Sequence, residues 1–256
     1  MYKRVAVTVI LVLAALGLAL FILNVLDIDE DYRIHLPANI PDTVLISAIS
    51  ITTAFIGARN YLNTGSRQTL ILGCGMLAFG VGTLVRSWLV DYGLEASITI
   101  NEGATIFAST LHLGGAFLTL SGRLSLNARA NEKAETSIIS YLGVLAVIAI
   151  ITLLVFLNVI PTFDIEGNGS ALSRTIVNFI TILFFLTSSI IYLVLYLKSR
   201  ISFFFWYSIG LMLFTLGVLF LSQSSIDSRL YWLGKGTLYI GSIYFLVTLL
   251  VARHET

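Results

Sequence analysis

Residues 138–160 read IISYLGVLAVIAIITLLVFLNVI, twenty-three consecutive positions without a charged side chain. A helix needs about 20 mostly apolar residues to cross the hydrocarbon core of a bilayer. In water such a run would have to be buried on every side, so the stretch reads as a membrane span. Outward from it, the same pattern recurs near Val5–Leu26, Val44–Leu62, Thr69–Val90, Glu102–Leu124, Leu172–Leu197, Ile201–Leu221 and Leu230–Val251. Composition agrees, with 57% hydrophobic and 11% charged residues and a mean hydropathy of +0.93. The fold class expected is all-α, a polytopic integral membrane protein of eight transmembrane helices. Eight spans leave little chain outside the membrane for a soluble catalytic domain, which favours a non-enzymatic protein.

The net charge is only +1, but the charges are sorted by loop. With the amino terminus inside, ten of the fifteen Lys and Arg residues fall on the inner side and eleven of the fourteen acids on the outer side. The Lys/Arg excess sets orientation, so both termini are expected in the cytoplasm and the protein in the cell membrane. Lys3 and Arg4 resemble the start of a signal peptide, yet the apolar stretch after them is long and lacks a small-x-small cleavage site, which favours a retained helix. Cys74 is the single cysteine, so no intramolecular disulfide forms. Balanced charge without a basic cluster argues against a nucleic-acid partner; the expected partners are membrane lipids.

Residues 61–87 align with 196–222 without a gap, pairing Tyr61, Leu62, Gly75, Phe79, Gly82, Leu84 and Ser87 with identical residues 135 positions later. Gly103 and Ser109 meet Gly236 and Ser242 at an offset of 133. An even number of spans per unit returns the chain to the same side, so the two units are parallel rather than inverted. The expected organisation is a four-helix repeat over 1–124, a cytoplasmic linker over 125–136 and a second repeat over 137–256. Recurrence of Gly, Phe and Leu is also common to membrane helices in general. No span contains proline, whereas transporter sites are commonly built on broken helices.

Polar groups at membrane depth are costly and face the protein interior. Glu102, Thr105, Ser109, His112, Ala116 and Thr119 follow one another at steps of 3 and 4, one face of a helix; Ile106, Phe107, Leu113, Phe117 and Leu120 take the other. His112 is the one histidine within a span and titrates near neutral pH when exposed. Ligation of a metal or haem by two histidines would require a second buried histidine, which the spans lack. Arg86 follows the small residues Gly75, Ala78 and Gly82 on one face, and Glu102 and Lys235 hold matching places before the paired glycines. An ion pair of Glu102 with Lys235 or with Arg86 is one reading of these charges; snorkelling to the headgroups is the other. Arg86, Glu102, Thr105, Ser109, His112 and Lys235 are the candidate ligand-binding residues, with helix packing and hydrogen bonding as the alternative role of the hydroxyls and the histidine. The small or polar faces Ser47, Ser50, Ala54, Gly57 and Arg174, Asn178, Thr181, Ser188 read first as packing seams. No phosphate loop, zinc spacing or catalytic serine or cysteine motif is present, so no metal or cofactor is expected.

Two stretches carry a family likeness. Ala58-Arg59-Asn60-Tyr61-Leu62 with Ser66-Arg67 and the glycine-rich Leu72–Gly82 is one; Trp232-Leu233-Gly234-Lys235-Gly236 with Tyr239-Ile240-Gly241-Ser242-Ile243-Tyr244 is the other. Over about a quarter of the chain they resemble the membrane-associated sensor (MASE) domains that precede histidine kinases and diguanylate cyclases. The resemblance implies a sensory bundle that binds a small-molecule ligand and passes a signal to an effector. Since the chain stops at Arg253-His254-Glu255-Thr256, it implies a standalone sensor acting through a separate partner such as a histidine kinase. A small transporter or permeability protein using the two repeats as halves of a pathway is the competing expectation. An intramembrane redox or lipid-modifying enzyme and a structural subunit of a larger complex are the others.

Overall fold

The computed structural model describes residues 40–90, 93–121, 130–163, 170–224 and 228–255. They form seven helices: α1 (Ile49–Thr64, entered through a π-wound segment, Asp42–Ala48), α2 (Arg67–Leu89), α3 (Leu94–Leu120), α4 (Ala130–Phe156), α5 (Ser170–Ser199), α6 (Ser202–Ser222) and α7 (Arg229–Glu255). No strand occurs among the described residues. All seven are long and apolar enough to cross a membrane, and the chain is a multi-pass membrane protein. The expected first span, 5–26, lies outside the described residues. Hydrocarbon offers no partner to a backbone amide, so each crossing segment closes its hydrogen bonds within itself as a helix. Many side-chain hydroxyls do the same, as Thr53, Thr105 and Thr215 bond to carbonyls four residues back at 2.7–2.9 Å.

Six helices close a ring. α1 packs on α2, α2 on α3, α3 on α5, α5 on α6, α6 on α7, and α7 returns to α1. α4 stands outside the ring, against α1, α2 and α3, which explains why it is the most apolar and least buried of the seven. Small residues allow close approach within the ring, as expected where helices meet without a hydrophobic gradient to drive them together. A Cβ on Gly57 would lie 2.8 Å from the Thr69 carbonyl oxygen, and one on Gly217 3.2 Å from that of Gly234. Aromatic rings fill the axis: Phe79 of α2 meets Phe214 of α6 at 4.5 Å between centroids, and Phe185 and Phe245 pack on Phe214 at 5.7 and 5.0 Å.

The turns at the end remote from Asp42 are built alike. α1 stops at Gly65, whose left-handed φ of 75° turns its N–H back to the Tyr61 carbonyl at 2.7 Å, a glycine-favoured helix ending. α5 stops at Arg200, with φ 60° and its N–H on the Tyr196 carbonyl, also at 2.7 Å.

Among the boundaries that differ from expectation, three bear on the charged end and the linker. α3 begins at Leu94, two turns before Glu102, with Ser97 bonding back to the Leu94 carbonyl at 2.7 Å. The helix before α2 takes in Asp42 rather than starting at Val44. Asp42, which reads as a loop residue, is held within the bundle by Lys235 of another helix. Residues 130–136, expected within the linker, form the first turns of α4.

Candidate functional site

α1, α3, α5 and α7 begin at one end of the bundle and α2 finishes there, which brings five ionisable side chains together from five helices. Lys235, six residues into α7 and so about 9 Å along it, bonds through Nζ to Asp42 Oδ2. Both are buried. The Tyr239 hydroxyl donates to the other Asp42 oxygen at 2.9 Å. This pair joins α7 to the π-wound entry of α1; such local rewinding frequently marks functional positions. Across the ring, Arg174 Nε donates to Glu102 Oε1 at 2.7 Å, joining α5 to α3. Arg86 lies between the two pairs: it donates to the Tyr231 hydroxyl at 3.3 Å and interacts electrostatically with both Asp42 and Glu102. Thr83, one turn before Arg86, donates to Asn101 beside Glu102 at 3.3 Å.

Two polar features of this end lack partners among the described residues. Glu102 Oε2 is buried and makes no direct hydrogen bond among the described residues, with the Asn178 amide of α5 near the carboxylate. Thr43, Ser47 and Ser50 hydroxyls, and that of Ser242 deeper in the bundle, are likewise buried and unbonded, and Ser50 abuts Gly80 of α2, where an added Cβ would come within 2.7 Å of its own. Buried polar atoms are nearly always satisfied, so these mark where the bundle has unused hydrogen-bonding capacity.

His112 occupies the middle of the ring rather than the charged end, ten residues or about 15 Å beyond Glu102 along α3. It is fully buried. Its Nδ1 shares a hydrogen bond of 2.6 Å with the Tyr207 hydroxyl, and its ring stacks on Phe245 at 5.5 Å and 12°. A Cβ on Gly75 would lie 2.6 Å from Nε2, an atom with no hydrogen-bond partner among the described residues. Among those residues no group of three His, Cys, Asp or Glu side chains converges as a metal site would require. An apolar cleft of about 420 Å³ runs between α3, α4 and α5, lined by Gly103, Ile106, Phe107, Val147, Ile151 and Val177 among others.

The candidate residues therefore separate. Arg86, Glu102 and Lys235 gather at one end, but neither expected ion pair of Glu102 forms: Lys235 takes Asp42, and Glu102 takes Arg174. Thr105 and Ser109 are buried on the expected face of α3 with hydroxyls bonded to the Asn101 and Ile106 carbonyls. Asp42 was missed because it follows Pro41 in a stretch that reads as a loop. Arg174 carried a signal, a cation on the polar face of its span, but read as packing. No protein-family model, curated protein or solved structure matches this chain.

Proposed function

We propose that the protein is an integral membrane sensory or signalling module that binds a small ligand at its charged end and acts on a separate partner. The observation that carries this reading is the pair of ion bridges across opposite seams of the ring. Asp42–Lys235 latches α1 to α7, Glu102–Arg174 latches α3 to α5, and Arg86 lies between them. A charged ligand that competes for either bridge favours a different helix packing, and differential affinity for two packings is what a ligand-driven shift requires. The two latches hold matching places if α1–α3 and α5–α7 are parallel repeats about an axis along the membrane normal. Other contacts support that organisation: Phe79 faces Phe214, 135 residues later, and the Gly65 and Arg200 turns share one hydrogen-bond pattern. His112 and Phe245, 133 residues apart, stack on each other. In this reading the charged end faces outward and both termini lie in the cytoplasm, in keeping with the Lys/Arg bias. Aromatic packing along the axis weighs against the permeability alternative.

The test couples one end of the bundle to the other. Asn60 of α1 donates to the Leu249 carbonyl of α7 at 3.3 Å, far from the latch. In a Cys74→Ser background, disulfide formation between Asn60→Cys and Leu249→Cys reports that seam. Asp42→Asn is expected to change the rate several-fold, with recovery in the exchanged pair Asp42→Lys/Lys235→Asp. An unchanged rate in folded Asp42→Asn protein would refute the coupling.

A further inference from the structure

Building on this ligand-site reading, we propose that the charged end takes a zwitterion, a ligand carrying an anionic group and a primary ammonium a few ångströms apart. The argument is one of unmet demand. Among the described residues the cluster holds three cations, Arg86, Arg174 and Lys235, against two carboxylates. Asp42 is engaged at both oxygens, by Lys235 and Tyr239. Glu102 is engaged at Oε1 by Arg174. The remaining groups are the Arg86 guanidinium, whose hydrogen bond goes to a neutral hydroxyl, and the buried, unbonded Glu102 Oε2. Among the described residues Arg86 forms no direct bridge to a carboxylate, and Oε2 makes no hydrogen bond although the Asn178 amide lies near the Glu102 carboxylate. An uncompensated charge and an unmet carboxylate oxygen are both costly where water is excluded.

Position turns these two demands into one site. The Thr83–Asn101 hydrogen bond fixes the turn before Arg86 to the residue before Glu102. Arg86 and Glu102 attract each other, yet they do not form an ion pair, because Glu102 is held toward Arg174 and Arg86 toward Tyr231. A simple anion would satisfy Arg86 and leave Oε2 bare; a simple amine would do the reverse and be repelled by the excess cation. A carboxylate or phosphate on Arg86 with an ammonium on Glu102 Oε2 satisfies both. Free amino acids carry this pair of groups, and so does the phosphoethanolamine headgroup of a lipid.

The experiment measures the thermal unfolding midpoint of the full chain in phosphatidylglycerol nanodiscs with glycine, sodium acetate or methylammonium chloride. A parallel set incorporates phosphatidylethanolamine or phosphatidylcholine, whose quaternary ammonium has no N–H to donate. Saturating ligand is expected to raise the midpoint by several degrees. A rise with glycine beyond either half-ligand, lost in Arg86→Gln and Glu102→Gln, supports a free amino acid. A rise with phosphatidylethanolamine but not phosphatidylcholine, lost in the same variants, supports the headgroup. Arg86→Lys and the isosteric Glu102→Gln keep the test interpretable if Arg86→Gln fails to fold. Acetate matching glycine would overturn the zwitterion while leaving a ligand site for anions. No rise with any probe or lipid would also overturn it; the disulfide-rate experiment, which uses no ligand, then decides separately whether the latch reading stands.

Discussion

Replacing one partner of the Asp42–Lys235 bridge should be among the most damaging single changes at the charged end. The Lys235 and Asp42 side chains are 3% and 8% exposed. Stranding one charge of so buried a pair costs about 3–5 kcal/mol. Lys235→Met keeps most of the side-chain volume but leaves the carboxylate with the Tyr239 hydroxyl as its donor, so the low end of that range, about 3 kcal/mol, is expected. Asp42→Asn should cost about as much, because it strands the ammonium. The double variant removes both charges and should lose only about 1–2 kcal/mol, a coupling of about 4 kcal/mol or more between the sites. The Glu102–Arg174 bridge provides the comparison. Its arginine is 30% exposed, water replaces much of what the bridge supplies, and the same cycle with Glu102→Gln and Arg174→Met should give about 1 kcal/mol. Reversible unfolding in mixed micelles, with each cycle measured in one lipid composition, gives both numbers. An Asp42–Lys235 coupling below about 1 kcal/mol, or no larger than that of Glu102–Arg174, would refute the assignment of the buried latch.

Three further outcomes follow from the packing. Gly65→Ala should destabilise by about 1 kcal/mol because its φ of 75° suits glycine. Arg200→Gly at the matching turn should relieve a similar strain, partly offset by losing the guanidinium 5.9 Å over the Tyr196 ring; unfolding midpoints of the two variants should move in opposite directions. Gly75→Ala drives a methyl group against the His112 ring, itself stacked on Phe245, and should cost about 1–3 kcal/mol. Gly143→Ala, within α4 where the added carbon meets nothing within 4 Å, serves as the clash-free control in the same assay and should be neutral or stabilising by up to about 1 kcal/mol. Tyr207→Phe leaves the buried His112 Nδ1 without its hydrogen bond and should cost about 1–3 kcal/mol, read from denaturant midpoints.

What the sequence revealed and what it hid divide along physical lines. Span positions come from local hydropathy, and the buried face of α3 follows from helical spacing. Glu102, Thr105, Ser109, His112 and Ala116 are buried as that spacing requires, while Phe117 and Leu120 are 53% and 47% exposed. The glycines flagged as close-contact positions are such in the structure, with Gly75 against His112 and Gly82 against Ala104. Partner choice was not legible. Asp42 and Lys235 lie 193 residues apart and Glu102 and Arg174 72 apart, and no periodicity within a helix says which distant helix becomes its neighbour. The same lack of information misplaced the start of the first described helix: the Asp42 carboxylate signals a loop until its counter-charge is known.

The ring closes through its first and last described helices, and this constrains how the protein is made. Ribosomes deliver α1 long before α7, and through that interval the Asp42 carboxylate has neither Lys235 nor Tyr239. A bare carboxylate is poorly tolerated in hydrocarbon, so the beginning of α1 should stay near the membrane surface, or under the protection of the insertion machinery, until α7 emerges. Biogenesis of this bundle thus has a late commitment step. Chains halted before Lys235 should be recognised as incomplete and degraded, even though most of their spans are already in the bilayer.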